Sequence, residues 1–176
     1  MNLEEKIKSN IREVEDFPKK GIMFKDITSL MLDPVLSNEI IEGFVHHLKD
    51  IQIDAVCAIE SRGFLYGMLL AHALQVPFIT IRKKGKLPGD TAEFTYELEY
   101  GSSTVEVHLS DVQPGWNVLI HDDLLATGGT AAAAAELMKK LKANVAGYAF
   151  IVALSFLGGK ERLNLYTDKI VSLATY

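Results

Sequence analysis

Apolar residues change their spacing twice along this chain. Near the start, Leu3, Ile7, Ile11 and Val14 fall at intervals of four, four and three, which lines one face of a helix. The pattern predicts an amphipathic helix ending near Asp16-Phe17-Pro18. An irregular stretch runs from Lys19 to Asp33. Asp33-Pro34 then opens a second helix, an acidic cap followed by a proline whose missing amide costs nothing in the first turn. Its apolar positions are Val35, Ile40, Ile41, Phe44, Val45 and Leu48.

From Asp54 the pattern becomes short apolar runs separated by helical stretches. It predicts strands at 54–59, 77–82, 117–121, 145–153 and 169–173, with helices at 64–75 and 129–142. Strands alternating with helices read as a parallel sheet with crossover connections. The fold class is therefore α/β: a doubly wound, mostly parallel five-stranded sheet with flanking helices. The connection from Lys83 to Gly115 is too long for an ordinary link. Within it Phe94, Tyr96 and Leu98 alternate with polar residues, as do Val105, Val107 and Leu109, predicting an antiparallel pair over the sheet edge in a segment of lid-like length. The run Ala131 to Ala135 predicts a helix lying close against the sheet.

At 176 residues the chain fits a single domain, 1–176, with an N-terminal hood at 1–33 and a flexible lid at 83–115. Eighteen basic against 23 acidic residues give a net charge of −5 without a long run of either sign. This argues against a nucleic-acid or anionic-membrane surface and for small-molecule partners. Cys57, inside the apolar run Ala55 to Ile59, reads as a small buried hydrophobe and cannot form a disulfide within the chain. The first residues lack a signal-peptide pattern, and no apolar stretch approaches the roughly 18 residues of a membrane span; a reducing cytoplasm is expected.

The most informative stretch is Val118 to Thr130, V-L-I-H-D-D-L-L-A-T-G-G-T, a strand, a loop and a helix start. The free amides and positive dipole end of such a helix hold a phosphate. Gly128 and Gly129 let the backbone approach, while Thr127 and Thr130 add hydroxyl donors. Asp122 and Asp123 would repel a phosphate and so face sugar hydroxyls or a magnesium ion. Phosphate at one end and a diol at the other describe a ribose 5-phosphate.

Two further strand ends carry polar groups, and ligands collect beyond such ends in open parallel sheets. They are Glu60-Ser61-Arg62-Gly63-Phe64 and Arg82-Lys83-Lys84-Gly85-Lys86. A basic cluster beside a phosphate cradle suits a second anion, with pyrophosphate the natural candidate and Arg62 able to fork onto two oxygens.

The Val118–Thr130 stretch resembles the phosphoribosyl pyrophosphate signature of the type I phosphoribosyltransferases, and its wording is most similar to the adenine-using members. The resemblance spans nearly the whole chain. It implies transfer of the 5-phosphoribosyl group from phosphoribosyl pyrophosphate to adenine, giving AMP and pyrophosphate. It assigns Asp122, Asp123, Ala126, Thr127, Gly128, Gly129 and Thr130 to the ribose 5-phosphate. Ser61, Arg62 and Gly63, with Arg82, Lys83 and Lys86, fall to the diphosphate. The segment Phe17 to Asp26 resembles the base-recognition loop, so that Phe24 stacks on the purine, backbone groups at Met23 and Lys25 read its edge, and Leu124 closes the other face. Glu99-Tyr100-Gly101 resembles the lid motif, with Glu99 as general base and Tyr100 in the lid. Magnesium is implied as a cofactor bound mainly with the donor, with Asp122 and Asp123 reaching it through water. A homodimer is the family habit. Two positions depart from the pattern: Lys25, where arginine is expected, and His121, where an aliphatic residue is usual and where an imidazole could alter the charge near Asp122. A phosphoribosyltransferase for a 6-oxopurine, or a regulator that only binds the donor, are the competing readings. His46-His47 is assigned no metal.

Overall fold

The structure is a computed structural model that describes residues 1–98 and 101–176. Its first helix, α1 (Leu3–Asn10), starts at a reciprocal cap: the Asn2 side chain accepts from the Glu5 amide at 2.8 Å, and the Glu5 carboxylate accepts from the Asn2 amide at 3.0 Å. The helix stops sooner than the apolar spacing predicts. Ile11 takes extended dihedrals, and Arg12–Val14 forms β1, antiparallel to β2 (Phe24–Asp26). The spacing misleads because Ile11 reaches the core from the cap position, while Val14 lies on an exposed strand. Helix α2 (Pro34–Leu48) begins as expected, with the Asp33 carboxylate accepting from the amides of Val35 and Leu36.

The chain then alternates β3 (Ala55–Ile59), α3 (Gly63–Leu74), β4 (Phe78–Lys83), the hairpin β5 (Thr91–Glu97) and β6 (Ser102–His108), β7 (Asn117–Leu125), α4 (Gly129–Lys140), β8 (Asn144–Ala153), α5 (Gly159–Leu163) and β9 (Ile170–Thr175). The sheet order is β5-β6-β4-β3-β7-β8-β9. All five expected parallel strands are present, in the order β4-β3-β7-β8-β9. The hairpin does more than lie over the edge: β6 pairs antiparallel with β4 through Arg82–Glu106 and Lys83–Val105 and extends the sheet to seven strands. No helix among the described residues is long and apolar enough to cross a membrane.

Alternation along the central strands feeds two cores. Val56, Leu119, Ala149 and Ile151 pack under α1, α2 and α3; Cys57, Ile120 and Phe150 pack under α4, whose buried Ala133, Ala134 and Ala135 let it lie close, as the alanine run predicts. Burial pushes the Cys57 thiol up, away from its reactive thiolate. From β3 the chain crosses outward to β4, and from the adjacent β7 it crosses the opposite way to β8. Between β3 and β7 the winding reverses, and a crevice opens there beyond their carboxyl ends.

Candidate active site

Two helices begin at that crevice. Both α3 and α4 lack a side-chain cap: the cap position of α3 is Arg62, that of α4 is Gly128, and neither side chain bonds to the first turn. At α4 the first-turn amides are thus left for a ligand, whereas in α3 the amides of Phe64 and Leu65 donate back to the carbonyls of Ser61 and Arg62, each at 3.2 Å. At α4 the chain encloses a cavity of about 90 Å³ lined by Asp122, Leu124, Ala126, Thr127, Gly128, Gly129 and Thr130 among others. Gly128 sits at φ +74°, and a Cβ there would stand 2.9 Å from the Gly159 carbonyl oxygen. Only glycine combines that dihedral with that approach.

The sequence predicts the strand to stop at residue 121, but β7 continues through the acids to Leu125. Neighbours on a strand diverge: Asp122 lines the cradle, and Asp123 turns to Arg62, whose Nε donates to its carboxylate at 2.6 Å. Burial, then the adjacent Asp123 carboxylate, hold Asp122 well above the usual carboxylate range. Gly63 fits where a Cβ would come within 2.9 Å of the Asp122 carboxylate, so the β3–α3 turn packs directly on β7. The Glu60–Ser61 peptide in that turn is cis, and Ser61 is exposed.

The basic turn after β4 is braced by two acids, Glu60 and Glu106, to which the sequence assigns no such role. Glu60 accepts from Arg82 at 2.9 Å and from the Lys83 amide at 2.8 Å, and the Arg82 guanidinium also donates to the Lys86 carbonyl at 3.2 Å. The bond from Arg82 foremost, outweighing burial, keeps Glu60 below the usual carboxylate range. Across the turn, buried Glu106 accepts from the amides of Lys86 and Leu87, each at 2.8 Å. Burial pushes its carboxyl up, but the amides of Leu87, Gly85 and Lys86 outweigh that and leave it lowered. Arg82 is therefore spent shaping the turn, while the side chains of Lys83 and Lys86 stand exposed.

On β2, Phe24 lies 5.3 Å from the Arg62 guanidinium and edge-on to Phe17 at 5.0 Å. Met23 is exposed. The Lys25 side chain is drawn away from Phe24, paired with Glu13 and set over the Tyr176 ring at 3.9 Å, which leaves only its backbone beside the aromatic. His121 is wholly buried, edge-on to Phe44 at 5.6 Å, with neither ring nitrogen hydrogen-bonded among the described residues. Burial, opposed by the nearby Asp123 charge and by a contact with the Ala149 backbone too poorly aligned to count as a hydrogen bond, draws its pKa down to about 4. At neutral pH it is uncharged and does not offset the acids that follow it.

Of the residues read from the sequence, the structure brings Arg62, Gly63, Asp122, Asp123, Leu124, Phe24 and the 126–130 loop around one crevice. Glu99 and Tyr100 lie outside the described residues. Beyond Glu60 and Glu106, sequence reasoning missed Tyr96: its apolar alternation was seen, but its hydroxyl stands 3.0 Å from that of Thr130. No cluster of three or more His, Cys, Asp or Glu side chains that could hold a metal occurs among the described residues.

Comparison with known proteins agrees with this layout. Residues 35–172 match the phosphoribosyl transferase domain. The chain is 49% identical over 174 residues to the adenine phosphoribosyltransferase of Cytophaga hutchinsonii, covering 99% of this chain and 96% of that one. The crystal structure of adenine phosphoribosyltransferase from Thermoanaerobacter pseudethanolicus superposes with a TM-score of 0.94 at 46% identity, covering 99% and 100% of the two chains. That of the Saccharomyces cerevisiae enzyme, complexed with adenine and an imino-altritol bisphosphate, gives 0.91 at 40% identity over 97% and 98%.

Proposed function

The chain belongs to the phosphoribosyl transferase family, and from that premise we propose that it is a purine-salvage enzyme that joins adenine to the 5-phosphoribosyl group of phosphoribosyl pyrophosphate. The bond from ribose C1 to the diphosphate oxygen breaks, the bond to adenine N9 forms, and the N9 proton leaves to a base; the products are AMP and pyrophosphate. The observation that carries this reading is the convergence of two uncapped helix starts and a pair of strand-borne acids at one crevice, in a chain whose relatives of nearly equal length bear that activity in their names.

Positive charge grows on the ribose and negative charge on the leaving group at the transition state, so the protein's work is electrostatic. The amides of α4 and the hydroxyls of Thr127 and Thr130 hold the 5-phosphate, with Ala126 completing the loop. Asp122 and Asp123 accept from the ribose hydroxyls and favour the developing cation. Arg62 turns from Asp123 to the diphosphate, beside the Ser61–Gly63 backbone, and the turn shaped by Arg82 presents Lys83 and Lys86 to the same group. Phe24 and Leu124 enclose the purine, whose edge meets backbone at Met23 and Lys25. Glu99 receives the N9 proton, and the segment carrying Tyr100 shuts out water.

The donor set fits magnesium that arrives on the diphosphate: the two strand acids supply hard carboxylate oxygens that would hold it through water. When bound, the ion supplies charge neutralisation of the leaving group. A homodimer and a cytoplasmic setting complete the proposal; exposed Leu65, Met68 and Leu69 on α3 offer an apolar strip for a second copy to cover.

The test is a competition: the protein, magnesium and phosphoribosyl pyrophosphate with equal adenine, guanine, hypoxanthine and xanthine, and nucleotides separated over time. AMP as the sole early product is expected. A 6-oxopurine nucleotide would overturn the base assignment, and donor binding without any nucleotide would overturn catalysis in favour of a regulator.

A further inference from the structure

The hairpin and the phosphate cradle are joined by one polar contact. The Tyr96 hydroxyl lies 3.0 Å from Thr130 Oγ1, and either can be the donor. The Tyr96 ring also closes on the cradle, with an edge carbon 3.9 Å from where a Cβ on Gly129 would stand. Strand β5 is held on α4 at its other end as well, where Lys140 Nζ donates to the Glu93 carbonyl at 3.0 Å. Tyr96 is half-buried and packs against the core beneath α4, so the ring has a structural duty that the hydroxyl does not share.

Each hydroxyl owns a single proton. With the cradle empty, two arrangements satisfy the pair, Tyr96 to Thr130 or the reverse. A phosphate dianion accepts and does not donate, so a 5-phosphate in the cradle claims the Thr130 proton. Thr130 Oγ1 then becomes an acceptor, and only one arrangement survives: Tyr96 O–H to Thr130 Oγ1, Thr130 O–H to phosphate. A chain running toward a dianion polarises each of its links, so both bonds strengthen together.

We propose that Tyr96 is a positioning residue for the donor's 5-phosphate, and that this relay couples occupancy of the cradle to docking of the β5–β6 hairpin. The inference rests on the reading of residues 126–130 as the 5-phosphate site. Its consequence is directional in sequence: three residues beyond Tyr96 lies Glu99, the proposed base, so the group that holds the sugar phosphate also steadies the strand leading to the proton acceptor.

Tyr96→Phe keeps the ring and removes only the hydroxyl. Ribose 5-phosphate binding, measured by calorimetry, is expected to weaken about three- to tenfold, the ordinary worth of one hydrogen bond, while pyrophosphate affinity and melting temperature stay at wild-type values. In a Thr130→Val background the same substitution is expected to cost nothing more, because the relay is already broken. Ribose 5-phosphate should slow amide exchange across residues 91–97 in the wild type and leave it unchanged in Tyr96→Phe. Equal ribose 5-phosphate affinity in wild type and Tyr96→Phe, or additive losses in the double variant, would overturn the coupling while leaving the cradle intact. Failure of the wild type itself to bind ribose 5-phosphate would overturn the cradle reading and the relay with it.

Discussion

Replacing His121 by leucine should make this protein more stable and flatten its response to acid. In the native protein the ring is wholly buried without a hydrogen-bond partner among the described residues, and its pKa is drawn down to about 4; in the unfolded chain it returns to about 6.5. Because the folded value is the lower one, the unfolded state binds the extra proton between those limits. Stability contributed by the neutral ring is complete above the unfolded value and falls as pH drops toward the folded one. Two and a half pKa units correspond to about 3 kcal/mol in full, of which about 2 kcal/mol is lost between pH 7 and pH 5. Leucine has no proton to gain and no polar atoms to strand, so at pH 7 it should add about 1 kcal/mol, or about 2–4 °C in a chain of this length. Urea unfolding of both proteins at pH 7 and pH 5 reads the difference directly, since every other titration is common to them. Parallel losses in the two proteins would refute the argument and mean that the ring is protonated or hydrated in place.

Gly128→Ala forces a side chain to a positive φ and against the Gly159 carbonyl; a loss of about 1–3 kcal/mol in chemical unfolding is expected, with a rise in KM for phosphoribosyl pyrophosphate and little change for adenine. Glu60→Gln removes the charge that anchors Arg82 and should raise the donor KM about three- to tenfold at unchanged melting temperature; an unaltered KM would mean that the turn holds its shape by itself. Glu99→Gln should lower kcat by roughly 10²–10⁴ if it takes the adenine proton, and a change of only a few-fold in steady-state rates would remove it from that role.

Local geometry is legible in the sequence and distant pairing is not. The cradle could be seen in the sequence because all its parts are contiguous: two glycines, two threonines and the helix they open. The parallel strands were readable because burial on both faces leaves unbroken apolar runs. The first helix was overextended because Ile11 satisfies a helical spacing while belonging to a turn, and Val14 continues that spacing by coincidence on an exposed strand. The sequence ends β7 early because polar residues read as a boundary, although Asp122 and Asp123 remain on the strand. The partners of Glu106, Glu60 and Tyr96 are not legible in the sequence because they come from other elements. Glu106 meets a turn 20 residues away, and Tyr96 meets a hydroxyl 34 residues away, separations at which no periodicity points from one residue to the other.

Arg62 touches two neighbourhoods at once, lying against Asp123 on one side and over Phe24 on the other. In the resting molecule one guanidinium therefore stands at the door of both compartments. An anion that pulls it aside frees a carboxylate and bares an aromatic face in the same movement. On the proposed site assignments, the sugar donor would have to draw that side chain away before the flat base could stack where it lies.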